Sequence, residues 1–475
     1  MIKELHQRLV NREITSEELT KKYLERIKER NSEINGFLSV DEKGALESAK
    51  KVDRKIKAGE KIGLLEGIPY AVKDNFCVQG GVTTSASKIL ENYQAPYDSF
   101  VIGKLKKAGA ILLGKTNMDE FAMGTSTENS AYGVVKNPID LERVAGGSSG
   151  GSAAVVADDQ AAWALGSDTG GSIRCPASFC GLVGMKPTYG RVSRAGLIAM
   201  ASSYDQIGPF AKSVEDAAII LDEICRKDPK DNTTVAKGTR FLENLKPEIE
   251  GKKIGILREF LSEDVDSNVK EIIEEKIKWA KKNGAEVVDV EIPGIKYSLA
   301  VYYLMICSEI SSNMARFDGI KYGKRNEKAE NILETYLKSR ECGLGDEVKR
   351  RVILGTYALS AGYKDAYYKK AAEVRDLIKR GFAKAFEEVD LILTPTMMSP
   401  AFKIGEKCDR PLDLYLVDIS TVPVNVAMLP AISLNAGFIR EGGKEMPFGM
   451  QLIGPWWQEQ SILNTALAFE ESSKN

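Results

Sequence analysis

Apolar and polar positions along this chain follow two rhythms, one helical and one extended. In the first 50 residues Leu19, Tyr23 and Ile27 recur every four positions on one face, and Thr15 and Glu18 have capping-box spacing at a helix start. Residues 1–50 are therefore expected to be helices. The stretch "LLEGIPYAVKD" (64–74) reads as a turn and then a short strand. "DSFVIGKLKKAGAILLGKTNMDEFAMG" reads as helix, glycine turn, buried strand over "AILLGK", then another helix. From 146 to 220 Gly, Ser, Ala and Thr dominate, which implies close backbone packing.

Residues 228–252 are polar and irregular, and mark a loop or a sub-domain seam. Beyond them, "KIGILRE" and "AEVVDVEI" read as strands flanking a helix over 264–283. Residues 300–387 read as mostly helical, "VDLILTPT" and "PFGMQLIGP" as buried strands, and 457–472 as a closing amphipathic helix. Alternation over the whole length predicts an α/β fold on a mixed sheet, with the loops at strand ends hosting a site.

Composition narrows the function. Of 475 residues, 66 are Lys or Arg and 67 are Asp or Glu, a net charge of −1. That balance argues against a strong stand-alone binder of nucleic acid or membrane. No apolar run approaches the roughly 18 residues of a membrane span, and the charged N-terminus lacks the features of a signal peptide. Seven scattered cysteines without a CxxC pair read as reduced, cytoplasmic thiols and not as a metal site. His6 is the only histidine. A His-based triad or a multi-histidine zinc site is thereby disfavoured, and any chemistry must use another base.

Three segments bear chemistry. In "GIPYAVKDN", Lys73 ends an apolar strand. It is either a surface lysine at a strand end or a buried one, whose charged form desolvation disfavours and which then serves as a base. "GGSSGGSAA" (146–154) has the composition of a linker, but runs into the apolar "AAVVA". A phosphate nest lacks its P-loop lysine here, so tight helix packing and a catalytic loop both remain open. In "GSDTGGSIRCPASFCG", Ser172 follows two glycines, which is either a plain turn or a backbone arranged as an oxyanion hole. Together, two serine-glycine loops, an upstream lysine and the lack of a histidine base suggest a serine nucleophile activated by lysine through a second serine.

These segments resemble the amidase signature family. The resemblance implies a single large α/β domain over 1–475, with a mixed sheet core covered by helices on both faces. Its parts would be an N-terminal helical segment 1–60, a catalytic core 61–225, an elaboration 226–390 and C-terminal core strands and helix 391–475. It implies Ser172 as nucleophile, Ser148 as a bridging serine in a cis peptide and Lys73 as base. Thr169, Gly170 and Gly171 would form the oxyanion hole with the nucleophile's own N–H. Cys175 departs from the family, which often carries glutamine there.

The resemblance extends through "KTNMDEFAMGTSTENSAYG", "GDEVKRRVILGTYALSAGYKDAYYKKA" and "VDISTVPVNVAMLPAISL" to the glutamine-hydrolysing subunits of tRNA-dependent amidotransferases. It implies Arg351 on the glutamine carboxylate, Asp418 on its ammonium, and Tyr302, Met123 and Gly124 around it, with the choice between Tyr302 and Tyr303 open. Taken alone, Arg351 in "DEVKRR" reads as a solvated helix face, while Asp418, between apolar residues in "YLVDISTVP", reads as buried, with a helix N-cap as the alternative. Also implied are two partner subunits, B and C, and Glu-tRNA(Gln) as acceptor. ATP and Mg2+ would be used in a partner, with no metal or cofactor in this chain. The competing readings are a stand-alone amidase on small amides, a nucleotide-binding protein and a non-catalytic scaffold subunit.

Overall fold

The computed structural model describes residues 1–238, 240–262 and 265–472. Its frame is one sheet of eleven strands: β1 (Phe37–Val40), β2 (Pro69–Lys73), β3 (Ile111–Thr116), β4 (Trp163–Asp168), β5 (Val183–Lys186), β6 (Gln206–Ala211), β7 (Lys253–Ile256), β8 (Glu286–Asp289), β9 (Leu391–Pro395), β10 (Ala431–Glu441) and β11 (Lys444–Ile453). Their order is β1-β3-β2-β4-β6-β5-β10-β11-β9-β7-β8. β2 runs parallel to β3 and β4, and β7 runs parallel to β8 and β9, while the remaining neighbours are antiparallel. The sheet is mixed and covered by helices, as the alternation of elements predicts.

The N-terminal expectations are met locally. Thr15 Oγ1 accepts the Glu18 N–H at 3.1 Å while the Glu18 carboxylate accepts the Thr15 N–H at 2.8 Å, so the capping box opens the helix Ser16–Ile34. Leu19, Tyr23 and Ile27 are all buried on one face, each worth about 1.5–3 kcal/mol of burial. The first 50 residues are not all helix, however. Asn35 ends the helix in the left-handed region, and Asn31 Oδ1 accepts the Phe37 N–H at 2.7 Å. The chain thereby turns into β1 against β3.

A second correction follows β3. The helix expected over "TNMDEFAMG" is only a 3-10 turn, Glu120–Ala122, with Phe121 at φ 49 and Ala122 at φ 62. The cause is Asp119, whose buried carboxylate accepts the N–H groups of Thr127 (2.9 Å) and Asn129 (3.1 Å). Wrapping the chain around one carboxylate satisfies those donors without a helix.

Residues 226–252 contain no helix or strand among the described residues, yet β6 before them and β7 after them join the same sheet. The helix Gly150–Ala157 packs on β4 and β2, which explains its small residues, since it is buried on nearly every side. Helices Ser298–Met314, Asp346–Leu359 and Lys370–Ala385 pack together over a second apolar cluster. Among the described residues no helix is long and apolar enough to cross a membrane, and no cluster of three or more His, Cys, Asp or Glu could hold a metal. All seven cysteines are free thiols.

Candidate active site

Lys73 ends β2 in the middle of the sheet and is fully buried. Its Nζ donates to Ser148 Oγ at 2.7 Å, Ser149 Oγ at 2.8 Å and Ser167 Oγ at 3.0 Å. Burial pushes its ammonium down to about 7, against the opposing pull of the Asp119, Asp168 and Asp205 carboxylates. Near neutrality it is therefore poised between ammonium and amine. A neutral amine donates two hydrogen bonds and offers one lone pair. Ser149 gives its own hydroxyl proton to the Ser167 carbonyl at 3.1 Å. Ser148, reached through a cis Gly147–Ser148 peptide, remains available to donate to that lone pair.

Ser172 lies in the loop between β4 and the helix Arg174–Phe179 and is buried. Asp168, the last residue of β4, shapes this loop. Its Oδ1 accepts the Gly171 N–H (3.0 Å) and its Oδ2 accepts the Ile173 N–H (3.2 Å), so the carboxylate brackets Ser172. Arg174 clamps the same carboxylate at 3.1 Å with both Nε and Nη2, and Asn425 Nδ2 donates to it at 2.8 Å. Burial pushes the Asp168 carboxyl up, but Arg174 and these donors prevail and hold it at about 2. Gly171 sits at φ +142, and a side chain there would strike the Thr421 side chain. Thr169 Oγ1 donates to Asp205 at 2.7 Å, and Thr421 Oγ1 donates to the Gly170 carbonyl at 2.7 Å.

Of the four backbone donors expected to hold an oxyanion, that of Gly171 is given to Asp168. No backbone hydrogen bond of the described residues uses the N–H groups of Gly170 or Ser172. The same holds for the N–H of Thr169; all three residues are buried, and since buried N–H groups rarely go unpaired, these donors are open to a bound group. The Ser172 hydroxyl makes no hydrogen bond to Ser148 among the described residues.

The proposed ligand-binding residues are brought to the same loop. Asp418 is buried, and burial pushes its carboxyl up to about 7, although Thr125 Oγ1 donates to it at 2.9 Å. The carbonyl of Asp418 also accepts from Thr421 Oγ1 (3.1 Å), which ties it to Gly170. Met123 and Gly124 precede Thr125 and are buried with it, Gly124 lying against the Asp119 carboxylate. Tyr302 places its hydroxyl end against Gly170. Tyr303 meets Tyr302 edge-on at 5.1 Å and stacks on Tyr415 at 4.0 Å. Arg351 lies over the rings of Tyr303 and Tyr415, at 5.2 and 5.4 Å. Tyr302 thus stands at the loop and Tyr303 at the arginine, and the Tyr303 hydroxyl is buried with no hydrogen-bond partner among the described residues.

Arg351 is 2% exposed and not on a solvated helix face. Its Nε donates to Glu347 at 2.7 Å, and Tyr415 also donates to Glu347, at 2.8 Å. Sequence reasoning missed Glu347, Tyr415, Asp168, Arg174, Ser149 and Ser167. The i,i+4 spacing of Glu347 and Arg351 was the one available sign of a pair.

A family model described as Amidase matches residues 18–463. The chain is 53% identical over 474 residues to the A subunit of glutamyl-tRNA(Gln) amidotransferase from Thermoanaerobacter pseudethanolicus, covering 100% of this chain and 96% of that one. Its fold is similar to the crystal structure of the A subunit of glutamyl-tRNA(Gln) amidotransferase from Thermotoga maritima, with TM-score 0.80 and 43% identity over 96% of this chain and 91% of that one. It is also similar to the peptide amidase of Stenotrophomonas maltophilia, with TM-score 0.83 and 28% identity over 100% and 96%.

Proposed function

The chain belongs to the amidase family, and from that premise we propose that it is the glutamine-hydrolysing A subunit of a tRNA-dependent amidotransferase. The chemistry begins with Lys73 as neutral amine, a state that its complete burial supports. Ser172 Oγ attacks the glutamine carboxamide carbon, and its proton passes through Ser148 to Lys73. The oxygen that gains charge is held by the N–H groups of Gly170 and Ser172. The proton returns by the same relay to the departing nitrogen, the C–N bond breaks, and ammonia leaves behind a glutamyl-serine ester. Water, deprotonated by the same relay, then cleaves the ester to glutamate and restores Ser172. The relay needs the Ser172 hydroxyl to swing onto Ser148 as substrate binds, and catalytic hydrogen bonds often close only at that stage.

Glutamine as substrate is carried by one observation. A buried guanidinium, Arg351, and a buried carboxyl, Asp418, are both tied to the Ser172 loop, through Tyr303–Tyr302 and through Thr421. Free glutamine presents a carboxylate and an ammonium, and a planar guanidinium suits the first while an aspartate suits the second. Binding an ammonium favours the ionised form of Asp418, which burial disfavours. In this reading the ammonia passes to the B subunit, held together with the C subunit, where ATP and Mg2+ serve to amidate Glu-tRNA(Gln). No cofactor is used by this chain, and the location is cytoplasmic. The deciding experiment is a glutaminase assay on the purified chain, with and without the B and C subunits and charged tRNA. The reading expects glutamine turnover that rises with the complex. Efficient turnover of simple aryl or peptide amides, with no response to the two partners, would assign a stand-alone amidase instead.

A further inference from the structure

Ser148 stands in the middle of five residues, 146–150, and one threonine holds both ends of that loop. Thr127 Oγ1 donates to the Gly146 carbonyl at 2.8 Å and accepts the Gly150 N–H at 3.1 Å. A hydroxyl has one proton to give and two lone pairs, so this one is matched to a carbonyl on one side and an N–H on the other. Gly150 opens the helix Gly150–Ala157, and the first N–H groups of a helix have no partner within it. Ser149, at the cap position, makes no side-chain bond to them. Thr127 supplies one from a distant part of the chain.

Thr127 is itself placed by Asp119. It sits at φ 61, a region that β-branched residues rarely adopt, and its N–H donates to Asp119 Oδ2 at 2.9 Å. The Asp119 N–H in turn donates to the Ser148 carbonyl at 3.2 Å. The Asp119 carboxylate lies against Gly147, where any side chain would strike it. Both residues are fully buried. The backbone on each side of Ser148, and the Ser148 carbonyl, thus rest on Asp119 and Thr127. Among the described residues neither side chain bonds to the Ser148 hydroxyl, to Lys73 or to Ser172.

The relay sets a strict demand on this loop. Ser148 Oγ must stay on Lys73 Nζ, at 2.7 Å, and also meet the Ser172 hydroxyl as substrate binds. A misplacement of about 1 Å costs such a step about a hundredfold. The neighbouring Ser149 has its hydroxyl tied to the Ser167 carbonyl at 3.1 Å, whereas the Ser148 hydroxyl meets only Lys73 Nζ among the described residues. A hydroxyl left free to pass a proton is aimed by its backbone, and this backbone is held by two residues.

We propose that Thr127 and Asp119 are positioning residues for the proton relay, holding Ser148 where its hydroxyl bridges Lys73 and Ser172; the proposal rests on the serine–lysine reading above.

The test measures glutamine hydrolysis by the chain in complex with the B and C subunits. It compares Thr127→Val, Thr127→Ser and Asp119→Asn, and repeats Thr127→Val in a Ser148→Ala background. The expected result is a kcat about ten- to a hundredfold lower for Thr127→Val, with KM within about twofold, and a similar loss of kcat for Asp119→Asn. Thr127→Ser, which keeps the hydroxyl, should return to within about threefold of wild type. In the Ser148→Ala background, Thr127→Val should cost less than about twofold more, because a residue that acts only through Ser148 has nothing left to position. A general disturbance of the site would instead lower the residual activity by the same factor again, and would overturn the proposal. Wild-type kcat in folded Thr127→Val or Asp119→Asn would overturn it too. If Thr127→Val fails to fold, Thr127→Ala, without a branched apolar side chain against the two backbone groups, is judged by the same results. Wild-type kcat in Ser148→Ala would instead sink the serine–lysine reading, and the positioning role with it.

Discussion

Lys73 Nζ stands 2.7 Å from Ser148 Oγ at the end of a central strand, and neither residue is exposed. A lysine so placed is held as an amine at a cost to the folded state. Because its folded pKa, about 7, lies below its unfolded value of 10.5, the unfolded chain binds the extra proton between those limits. Wild-type stability therefore gains from rising pH across that window. Lys73→Met removes this dependence. The difference in unfolding free energy should move in favour of the Met variant as pH falls from about 10 to about 7, then level off. Denaturant melts of both proteins across that range check it, and a pH-independent difference would mean that Lys73 is not desolvated.

Activity should fall on the acid side for two reasons. Lys73 must be neutral, and Asp418, pushed up to about 7 by burial, must be ionised to hold an ammonium. Below neutrality log kcat/KM for glutamine is expected to steepen towards a slope of two. Asp418→Asn removes one of the titrations, so its much lower kcat/KM should fall with a slope nearer one. A pH series of initial rates on both proteins makes the comparison.

Arg351→Lys keeps a cation but loses the planar fork that grips a carboxylate. A charged hydrogen bond of about 1.5–3 kcal/mol predicts a KM for glutamine roughly ten- to a hundredfold higher, with kcat much less affected. Steady-state kinetics separate the two parameters.

Asp168 and Arg174 form a fully buried ion pair beneath the Ser172 loop. Arg174→Met leaves the carboxylate without its cation. Breaking such a pair by removing one partner costs about 3–5 kcal/mol, and the expected readouts are a lower unfolding midpoint and loss of turnover together. Gly171→Ala is expected to separate these effects. A residue other than glycine at φ +142, pressed against Thr421, distorts the oxyanion loop directly, so turnover should fall more than stability.

The sequence announced some of this architecture and hid the rest, for identifiable reasons. Lys73, Ser148 and Ser172 stood out because glycine and serine crowd two loops and the only histidine, His6, lies far from them in sequence. The capping box at Thr15 was legible because its partners are three residues apart. β4 and β6 were not, since each is buried at every position and shows no alternation. The turn at 120–122 was misread as helix because its cause, the buried Asp119 carboxylate, acts on N–H groups up to ten residues away. "DEVKRR" resembles a solvated face, yet Glu347 and Arg351 within it are buried, Arg351 over the rings of Tyr303 and Tyr415 and Glu347 hydrogen-bonded to Tyr415. Charge runs conceal internal pairs, because pattern alone does not say which charges face inward.

The most direct test of the account is Ser172→Ala in the complex with the B and C subunits, assayed for Gln-tRNA(Gln) formation with glutamine and, separately, with ammonium as nitrogen donor. The account predicts loss of the glutamine-dependent reaction with the ammonium-dependent reaction near wild type. Retained glutamine-dependent amidation, or loss of both reactions in a complex that still assembles, would contradict it.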